Sequence, residues 1–98
     1  MPPIVAAFQG HGLTEQNYEE GVRQLTGTKN LMESLSDWPV PGILAHVAGQ
    51  ASDGFRVVDV WESEESFQRF GEIIGPIMQG LGVDLQPDIY PAKAFVSA

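Results

Sequence analysis

The alternation of apolar and polar positions predicts six regular elements in the order β-α-β-β-α-β. Short apolar runs bounded by Gly or Pro predict strands, whereas apolar residues spaced three and four apart predict helices. Leu31, Met32 and Leu35 share one side of an additional short helix predicted over residues 28–37. The predicted strands cover residues 3–9, 43–50, 54–61 and 86–96, and the two main helices follow the N-cap residues Thr14 and Ser63.

Glycine and proline residues mark where these elements end or become irregular. Gly27 ends the first helix. Pro76 should kink or restart the second helix, because proline removes a backbone hydrogen bond and clashes with the preceding turn. Pro87 and Pro91 favour an edge position or an irregular course for the last strand, since proline cannot donate to a sheet.

The order of elements predicts an α+β fold of the ferredoxin-like type, in which helices cover one face of an antiparallel sheet. Residues 1–98 should form a single domain, because two separate cores in so short a chain would be too small to be stable. The second face of the sheet must also be hidden from water. Packing against a second copy is the simplest solution, so we expect a homodimer.

The segment GILAHVAGQASDGFRVVDVW, residues 42–61, predicts a hairpin with a polar pair among apolar residues. If ASDG at 51–54 is a four-residue loop, His46 lies directly opposite Asp59. If Asp53 and Gly54 form a two-residue turn, His46 faces Trp61 and has Asp59 as its diagonal neighbour. Both registers leave His46 and Asp59 on one face, whereas a three-residue loop would separate them.

The two faces of this hairpin differ in chemistry. Small aliphatic residues on one face suit packing against helices, whereas aromatic and small residues around the His–Asp pair on the other suit a ligand pocket. The predicted pocket face carries Leu44, His46, Ala48, Phe55, Val57, Asp59 and Trp61, and the predicted helix face carries Ile43, Ala45, Val47, Val58 and Val60, with Arg56 near its end.

His46 and Asp59 have two interpretations. They form either a buried structural hydrogen bond or a general base whose tautomer is set by the carboxylate. His11 lies between glycines in a loop, where an exposed side chain is the simpler interpretation and a place at a pocket mouth is the alternative. The two histidines have no metal-ligand spacing, so no metal site is predicted.

Composition excludes several classes of function. A formal net charge of −8 repels phosphate backbones and anionic lipid, so we expect neither nucleic-acid nor membrane binding. The absence of cysteine excludes disulfides and thiol catalysis. The first residues lack the features of a secretory signal, so a cytoplasmic location is expected.

Four segments carry a family resemblance: HVAG at 46–49, DGFRVVDVWESEESFQRFGE at 53–72, IYPA at 89–92 and DWPVPGILAHVAG at 37–49. They resemble small actinobacterial-type proteins of the dimeric α+β barrel superfamily, which includes antibiotic-biosynthesis-monooxygenase-like domains. The resemblance implies a ferredoxin-like protomer whose sheet packs against that of a second copy. It leaves the activity open, because the superfamily includes cofactor-free oxygenases, isomerases, cyclases and haem-degrading enzymes.

Two positions depart from the usual sequence of that subgroup. Phe55 stands where relatives commonly have Trp, which is a conservative change. Lys93 stands where they tend to have His, so any chemistry that depends on that His is in doubt here. The Asn–Trp–His set of the haem-degrading branch has no clear counterpart, and no haem is predicted.

Two functions are therefore weighed. In the first, a cofactor-independent monooxygenase-like or related tailoring enzyme acts on an aromatic or polyketide-like molecule. His46, held by Asp59, removes a proton and the resulting anion reduces O2, so that neither flavin nor metal is needed; without O2 the same step supports isomerisation or cyclisation. The ligand would be positioned by Trp61, Phe55, Trp38 and Leu44. In the second, a non-catalytic dimer binds a ligand or serves as an accessory protein, and the His–Asp pair only stabilises its interior.

Overall fold

A computed structural model describes residues 2–97 of the chain. It contains four strands, two α-helices and one short 3-10 turn. In chain order these are β1 (Ile4–Phe8), α1 (Glu15–Thr26), the 3-10 turn (Leu35–Asp37), β2 (Ile43–Ala51), β3 (Gly54–Trp61), α2 (Glu64–Gly80) and β4 (Asp88–Pro91).

The strands form one antiparallel sheet in the order β2-β3-β1-β4. This arrangement confirms the predicted ferredoxin-like α+β fold. In the hairpin, His46 pairs directly with Asp59, as in the first of the two predicted registers. β3 begins at Gly54 as predicted, and β2 continues one residue further than predicted, to Ala51. Ala51 and Gly54 are paired, so only Ser52 and Asp53 remain between the two strands.

Both helices lie on the same face of the sheet as the His–Asp pair, and this face was assigned wrongly from the sequence. Phe55 and Trp61 are buried there against the helices, whereas Val47 and Val58 on the predicted helix face are 66% and 38% exposed. The larger aromatic side chains explain the choice, because they remove more apolar area from water than small aliphatic ones. The buried core consists of Ala6, Phe8, Leu13, Trp38, Ile43, Phe55, Val57, Trp61, Phe67, Phe70, Met78 and Val83.

An irregularity at the start of β2 moves Ile43 away from its predicted face. The register changes between Ile43 and Ala45, so that Ile43 pairs with Trp61 and is buried in the core. One extra residue on a strand reverses the face of every residue before it. The alternation of the sequence could not show this, because Leu44 is an ordinary strand residue.

The N-caps of both helices are confirmed. Thr14 accepts a hydrogen bond from the backbone of Asn17, and Ser63 accepts one from the backbone of Ser66. Gly27 ends α1 in the left-handed conformation, with φ of 82°. The predicted restart at Pro76 is wrong, since α2 continues through it to Gly80.

Two other segments are less regular than predicted. Residues 28–37 form a helix only at the 3-10 turn, and Leu31 is 57% exposed. The last strand covers four residues instead of the predicted 86–96. Within residues 2–97 it pairs with β1 alone, which confirms its edge position.

Candidate functional site

Three polar side chains form a hydrogen-bonded chain inside the helix side of the sheet. The Nδ1 atom of His46 lies 2.6 Å from Oδ1 of Asp59, and its Nε2 atom lies 2.6 Å from the hydroxyl oxygen of Tyr18. The side chains of His46 and Asp59 are only 12% and 3% exposed. The sequence predicted the His46–Asp59 contact, and the structure adds Tyr18 as the third member.

Each member of this chain is fixed by regular structure. His46 and Asp59 are directly opposed on β2 and β3, so the ladder hydrogen bonds hold their backbones together. Tyr18 lies one turn into α1, and its backbone N–H donates to the backbone oxygen of Thr14 over 2.8 Å. The amide of Asn17 donates to the backbone oxygen of Gly12 over 2.7 Å and ties the preceding loop to the helix. The Tyr18 hydroxyl is therefore held at the edge of the imidazole by the cap of α1.

The hydrogen-bond pattern assigns the tautomer of His46 when its imidazole is neutral. An ionised Asp59 can only accept, so Nδ1 of His46 carries a proton and donates it to the carboxylate. Nε2 is then an acceptor, and the hydroxyl of Tyr18 donates to it. This is the tautomer that a general base requires, because the lone pair points away from the carboxylate. The Tyr18 hydroxyl occupies that lone pair, so another proton donor must act through the hydroxyl or displace it.

The environment of Tyr18 disfavours its ionised form. Burial and the negative charge of Asp59 raise the pKa of Tyr18 from 10.0 to about 12, while the backbone of Met32 acts in the opposite direction. Tyr18 is therefore a neutral phenol near pH 7. It can pass a proton on to His46 as it receives another, but it does not store negative charge.

The raised pKa gives a direct test of the proximity of Tyr18 and Asp59. We predict that Asp59→Asn lowers the pKa of Tyr18, because the variant removes a negative charge that opposes ionisation. In the wild type, the contribution of Tyr18 to the free energy of unfolding is present below pH 10.0 and is lost as the pH rises through about 12. Absorbance of tyrosinate during a pH titration measures the pKa, and urea unfolding at a series of pH values measures the contribution to stability.

Two single-residue variants identify the signal in that titration. Tyr18→Phe should remove the late ionisation step, whereas Tyr90→Phe should leave it in place. An unchanged late midpoint in Asp59→Asn would contradict the electrostatic coupling of Tyr18 to Asp59.

Two spaces meet at the chain of polar residues. An inner cavity of about 60 Å³ lies between the sheet and the helices, and an outer cleft of about 370 Å³ lies beside α1 and β2. Tyr18, Met32 and His46 line both. A single water molecule needs roughly 10–15 Å³ of cavity volume, so the inner cavity has room for a few waters or one very small molecule. The outer cleft is the space with room for a ring system.

Trp38 forms the wall of the inner cavity next to His46. The two ring centroids are 4.8 Å apart, with the edge of one ring directed at the other at 69°. Trp38 follows the 3-10 turn, which is held by Asp37. The carboxylate of Asp37 accepts from Lys29 Nζ at 2.8 Å and from the backbone N–H groups of Glu33 and Ser34. These bonds replace the helix that the sequence predicted over residues 28–37.

Asp37 should therefore stabilise the segment that carries Trp38. The ion pair with Lys29 and the backbone hydrogen bonds lower the pKa of Asp37 from 3.8 to about 2. Because the folded pKa is lower than the unfolded one, this contribution to stability is present above pH 3.8 and is lost as the pH falls toward 2. We predict that Asp37→Asn has a lower urea midpoint at neutral pH and that its difference from the wild type narrows over this acid range.

Glu33→Gln is the matched control, since Glu33 also pairs with Lys29 but is 67% exposed. It should keep the acid dependence of the wild type. Equal acid dependence in wild type and Asp37→Asn would show that Asp37 does not hold the segment.

The other predicted site residues occupy different positions. Phe55 lines the outer cleft and packs against Tyr18, with ring centroids 5.3 Å apart. Trp61 is fully buried against Phe67 and Phe70, and it lines neither space. Leu44 is half-buried and also lines neither space, because it lies at the irregularity in β2.

His11 is exposed and does not border the cavity or the cleft, which fits the simpler of its two interpretations. Across residues 2–97, no three His, Asp or Glu side chains are grouped to hold a metal ion. In the same range, neither helix is long and apolar enough to cross a membrane.

Tyr18 is the site residue that sequence reasoning missed. Its spacing with Val22 and Leu25 predicts the buried face of α1, and this pattern assigns it to the core. The only available signal was the hydroxyl itself, since a tyrosine on a buried helix face needs a polar partner. The predicted His46–Asp59 pair is such a partner.

Known proteins resemble this chain in structure, although no protein-family model matches it and no curated protein does. The oxygenase SnoaB from Streptomyces nogalater, described as cofactor-independent, superposes with a TM-score of 0.57 at 15% identity, over 98% of this chain and 96% of that one. The monooxygenase ActVA-Orf6 of Streptomyces coelicolor, solved with nanaomycin D, superposes with a TM-score of 0.53 at 16% identity, over 99% and 92%.

A third solved structure is described as a dimeric ferredoxin-like protein. It comes from an uncultured marine organism and superposes with a TM-score of 0.57 at 19% identity, over 99% of this chain and 93% of that one. Identities this low establish the fold and leave activity to be argued from the site. The likeness shows that this chain shares the ferredoxin-like fold of these three proteins, as the resemblance seen in the sequence implied.

Proposed function

We propose that the protein is a cofactor-independent monooxygenase-like or related tailoring enzyme that removes a proton from an aromatic or polyketide-like small molecule. The observation that carries this proposal is the Asp59–His46–Tyr18 chain, which lies in the wall between a small cavity and a cleft. His46 is the general base and Asp59 orients it. The hydroxyl of Tyr18 relays the proton from the ligand to His46.

The reaction follows from the acidity of the ligand. A phenol or enol donates its proton to the Tyr18 oxygen while the Tyr18 proton moves to Nε2 of His46. The imidazolium that forms is stabilised by the buried carboxylate of Asp59 on one side, and Tyr18 lies between it and the new ligand anion on the other. The electron-rich anion then reduces O2, so the ligand supplies the electrons. For an anthrone, the product is the quinone and the second oxygen atom leaves as water.

Oxygen uptake on a panel of anthrones and quinols, with product analysis, tests the proposal. We expect uptake that requires the protein, proceeds without added cofactor and is lost in His46→Ala. If the wild type catalyses no uptake, oxygenase chemistry is excluded for the panel. Isomerised or cyclised products that also depend on His46 would then identify a tailoring enzyme that does not use O2.

The same geometry also supports a second candidate, a non-catalytic ligand-binding or accessory protein. All three polar groups satisfy one another without a ligand, as a purely structural network does. In that case His46→Ala lowers the free energy of unfolding and no ligand is turned over by the wild type.

We also propose that a second copy covers the open face of the sheet. Two neighbouring rows of this face are mainly apolar across the four strands, and Val47 in β2 is 66% exposed. The first row consists of Ala45, Val60, Val5 and Tyr90. The second row consists of Val47, Val58, Ala7 and Asp88. The cleft and cavity lie on the other side of the sheet, so dimerisation through this face leaves them in place.

Sedimentation of a lysine variant tests the proposed dimer. The wild type should sediment at twice the 10.6 kDa mass of the chain, and Val47→Lys should shift it toward that mass. Val96→Lys is the control, because Val96 is 90% exposed and follows the last strand. A wild type that sediments as a single chain would exclude this dimer.

A further inference from the structure

The outer cleft has a charge distribution that limits the ligands it can accept. We propose that this cleft binds the organic ligand, and that it selects aromatic ligands that are uncharged or cationic over ligands that carry a carboxylate, sulfate or phosphate. This inference rests on the proposed function only in taking the Tyr18–His46 wall as the reactive end of the cleft.

Size assigns the organic ligand to the cleft. The inner cavity of about 60 Å³ is too small for a ring system, whereas the cleft of about 370 Å³ borders the same two reactive side chains. A molecule in the cleft therefore reaches Tyr18 and His46 without any movement of the core. The cleft also offers apolar surface, since Leu31 is 57% exposed along it and Phe55 and Met32 line its wall.

The charged groups in the cleft are all acidic. Glu15 and Glu19 line it from α1, one turn apart, and Gln50 is a neutral polar group on the β2 side. Among residues 2–97, neither Glu15 nor Glu19 has an ion-pair partner. Their negative charges therefore act on whatever enters the cleft.

Among residues 2–97, no Lys or Arg side chain is placed to receive an anionic group. The chain has five Lys and Arg residues, and none of them lines the cleft or the cavity. Four of them bind carboxylates elsewhere, namely Arg23 on Glu20, Lys29 on Glu33 and Asp37, Arg56 on Asp53 and Arg69 on Glu65. A ligand carboxylate in the cleft would thus meet the negative charges of Glu15 and Glu19 and no opposite charge from Lys or Arg.

The end of the cleft formed by Tyr18 and His46 also lies close to a negative charge. Asp59 is buried behind His46, and its charge already opposes ionisation of the phenol of Tyr18. The ligand should therefore arrive with its acidic proton in place and be ionised only as His46 accepts that proton. A ligand with a permanent anionic group adds repulsion at every step, whereas an ammonium group near Glu15 and Glu19 is attracted.

Three naphthols of similar shape test the selectivity: 2-naphthol, 6-hydroxy-2-naphthoate and 6-(aminomethyl)-2-naphthol. Binding is measured by calorimetry without O2, so that turnover does not enter. We expect the carboxylate to bind roughly tenfold more weakly than 2-naphthol at low salt, and the amine to bind at least as tightly. Raising the salt from about 0.02 to about 0.3 M should reduce these differences.

Two double variants with the same net charge locate the effect. Glu15→Gln/Glu19→Gln should bring the carboxylate to within about threefold of 2-naphthol, because it removes the two nearest charges. Glu64→Gln/Glu72→Gln is the matched control, with one residue in the first turn of α2 and one further along that helix. It should leave the ratio unchanged. Ala48→Trp fills the cleft and should abolish saturable binding of 2-naphthol.

Three outcomes would overturn the inference: equal affinity of the wild type for the carboxylate and 2-naphthol, equal changes of ratio in both double variants, or no binding of any of the three. Failure of the proposed function is distinguishable from each of these. In that case the ranking of affinities holds while His46→Ala has no effect on turnover, or while no turnover is found.

Discussion

Replacing His46 with alanine should abolish turnover while leaving the fold and the dimer intact. General bases contribute about 10²–10⁴-fold to a rate, and in the proposed mechanism His46 is the group that retains the proton. Tyr18 cannot take over, because its pKa is raised to about 12 and it holds a proton at neutral pH. The rate of product formation under saturating ligand measures the effect, and sedimentation checks the assembly.

His11→Ala is the matched control, since His11 is the only other histidine and is exposed in a loop. It should retain wild-type turnover. Asp59→Asn should also reduce the rate strongly, because it alters the group that sets the tautomer of His46. Retention of turnover by His46→Ala would contradict the assignment of the base, whatever happened to the other variants.

Trp61→Ala should cause the largest loss of stability. Trp61 is 0% exposed and packs on Phe67 and Phe70, with ring centroids 6.2 and 5.2 Å away. Replacing such a residue with alanine costs about 3–5 kcal/mol, which is much of the roughly 5–15 kcal/mol that stabilises a typical domain. Urea unfolding measures this loss.

Trp38→Ala is the informative comparison for Trp61. Trp38 is also buried, but it borders the inner cavity and the ring of His46. For a given loss of stability, Trp38→Ala should reduce turnover more than Trp61→Ala does. If Trp61→Ala instead kept its stability and lost ligand affinity, Trp61 would be a ligand-binding residue, as the sequence alone suggested.

The hairpin illustrates how far the sequence predicts this structure. Both registers considered in the sequence analysis place His46 and Asp59 on one face. The two registers differ by two residues, and a shift of two residues leaves every side chain on the same face of the sheet. The capping residues Thr14 and Ser63 are equally local signals, and both are confirmed. The element order then predicts the sheet topology, since few arrangements are compatible with it.

What the sequence could not predict depends on contacts between distant segments. Tyr18 meets His46 only when α1 packs across β2, and no local pattern encodes that contact. The helices were predicted to cover the face with small aliphatic side chains, and this prediction was wrong. They cover the other face, because Phe55 and Trp61 bury more apolar area there. The irregularity before Ala45 has no marker in the sequence, so Ile43 was assigned to the wrong face.

The proton transfer itself is the most direct measurement of the central claim. Dithranol, an anthrone, is mixed with the protein in the absence of O2, and the absorbance of its enolate is followed. We predict that the enolate band appears with the wild type and is absent with His46→Ala, before any oxygen chemistry can occur. An enolate band of equal size in both proteins, or oxygen uptake by a wild type that forms no enolate, would contradict the role of His46 as the base.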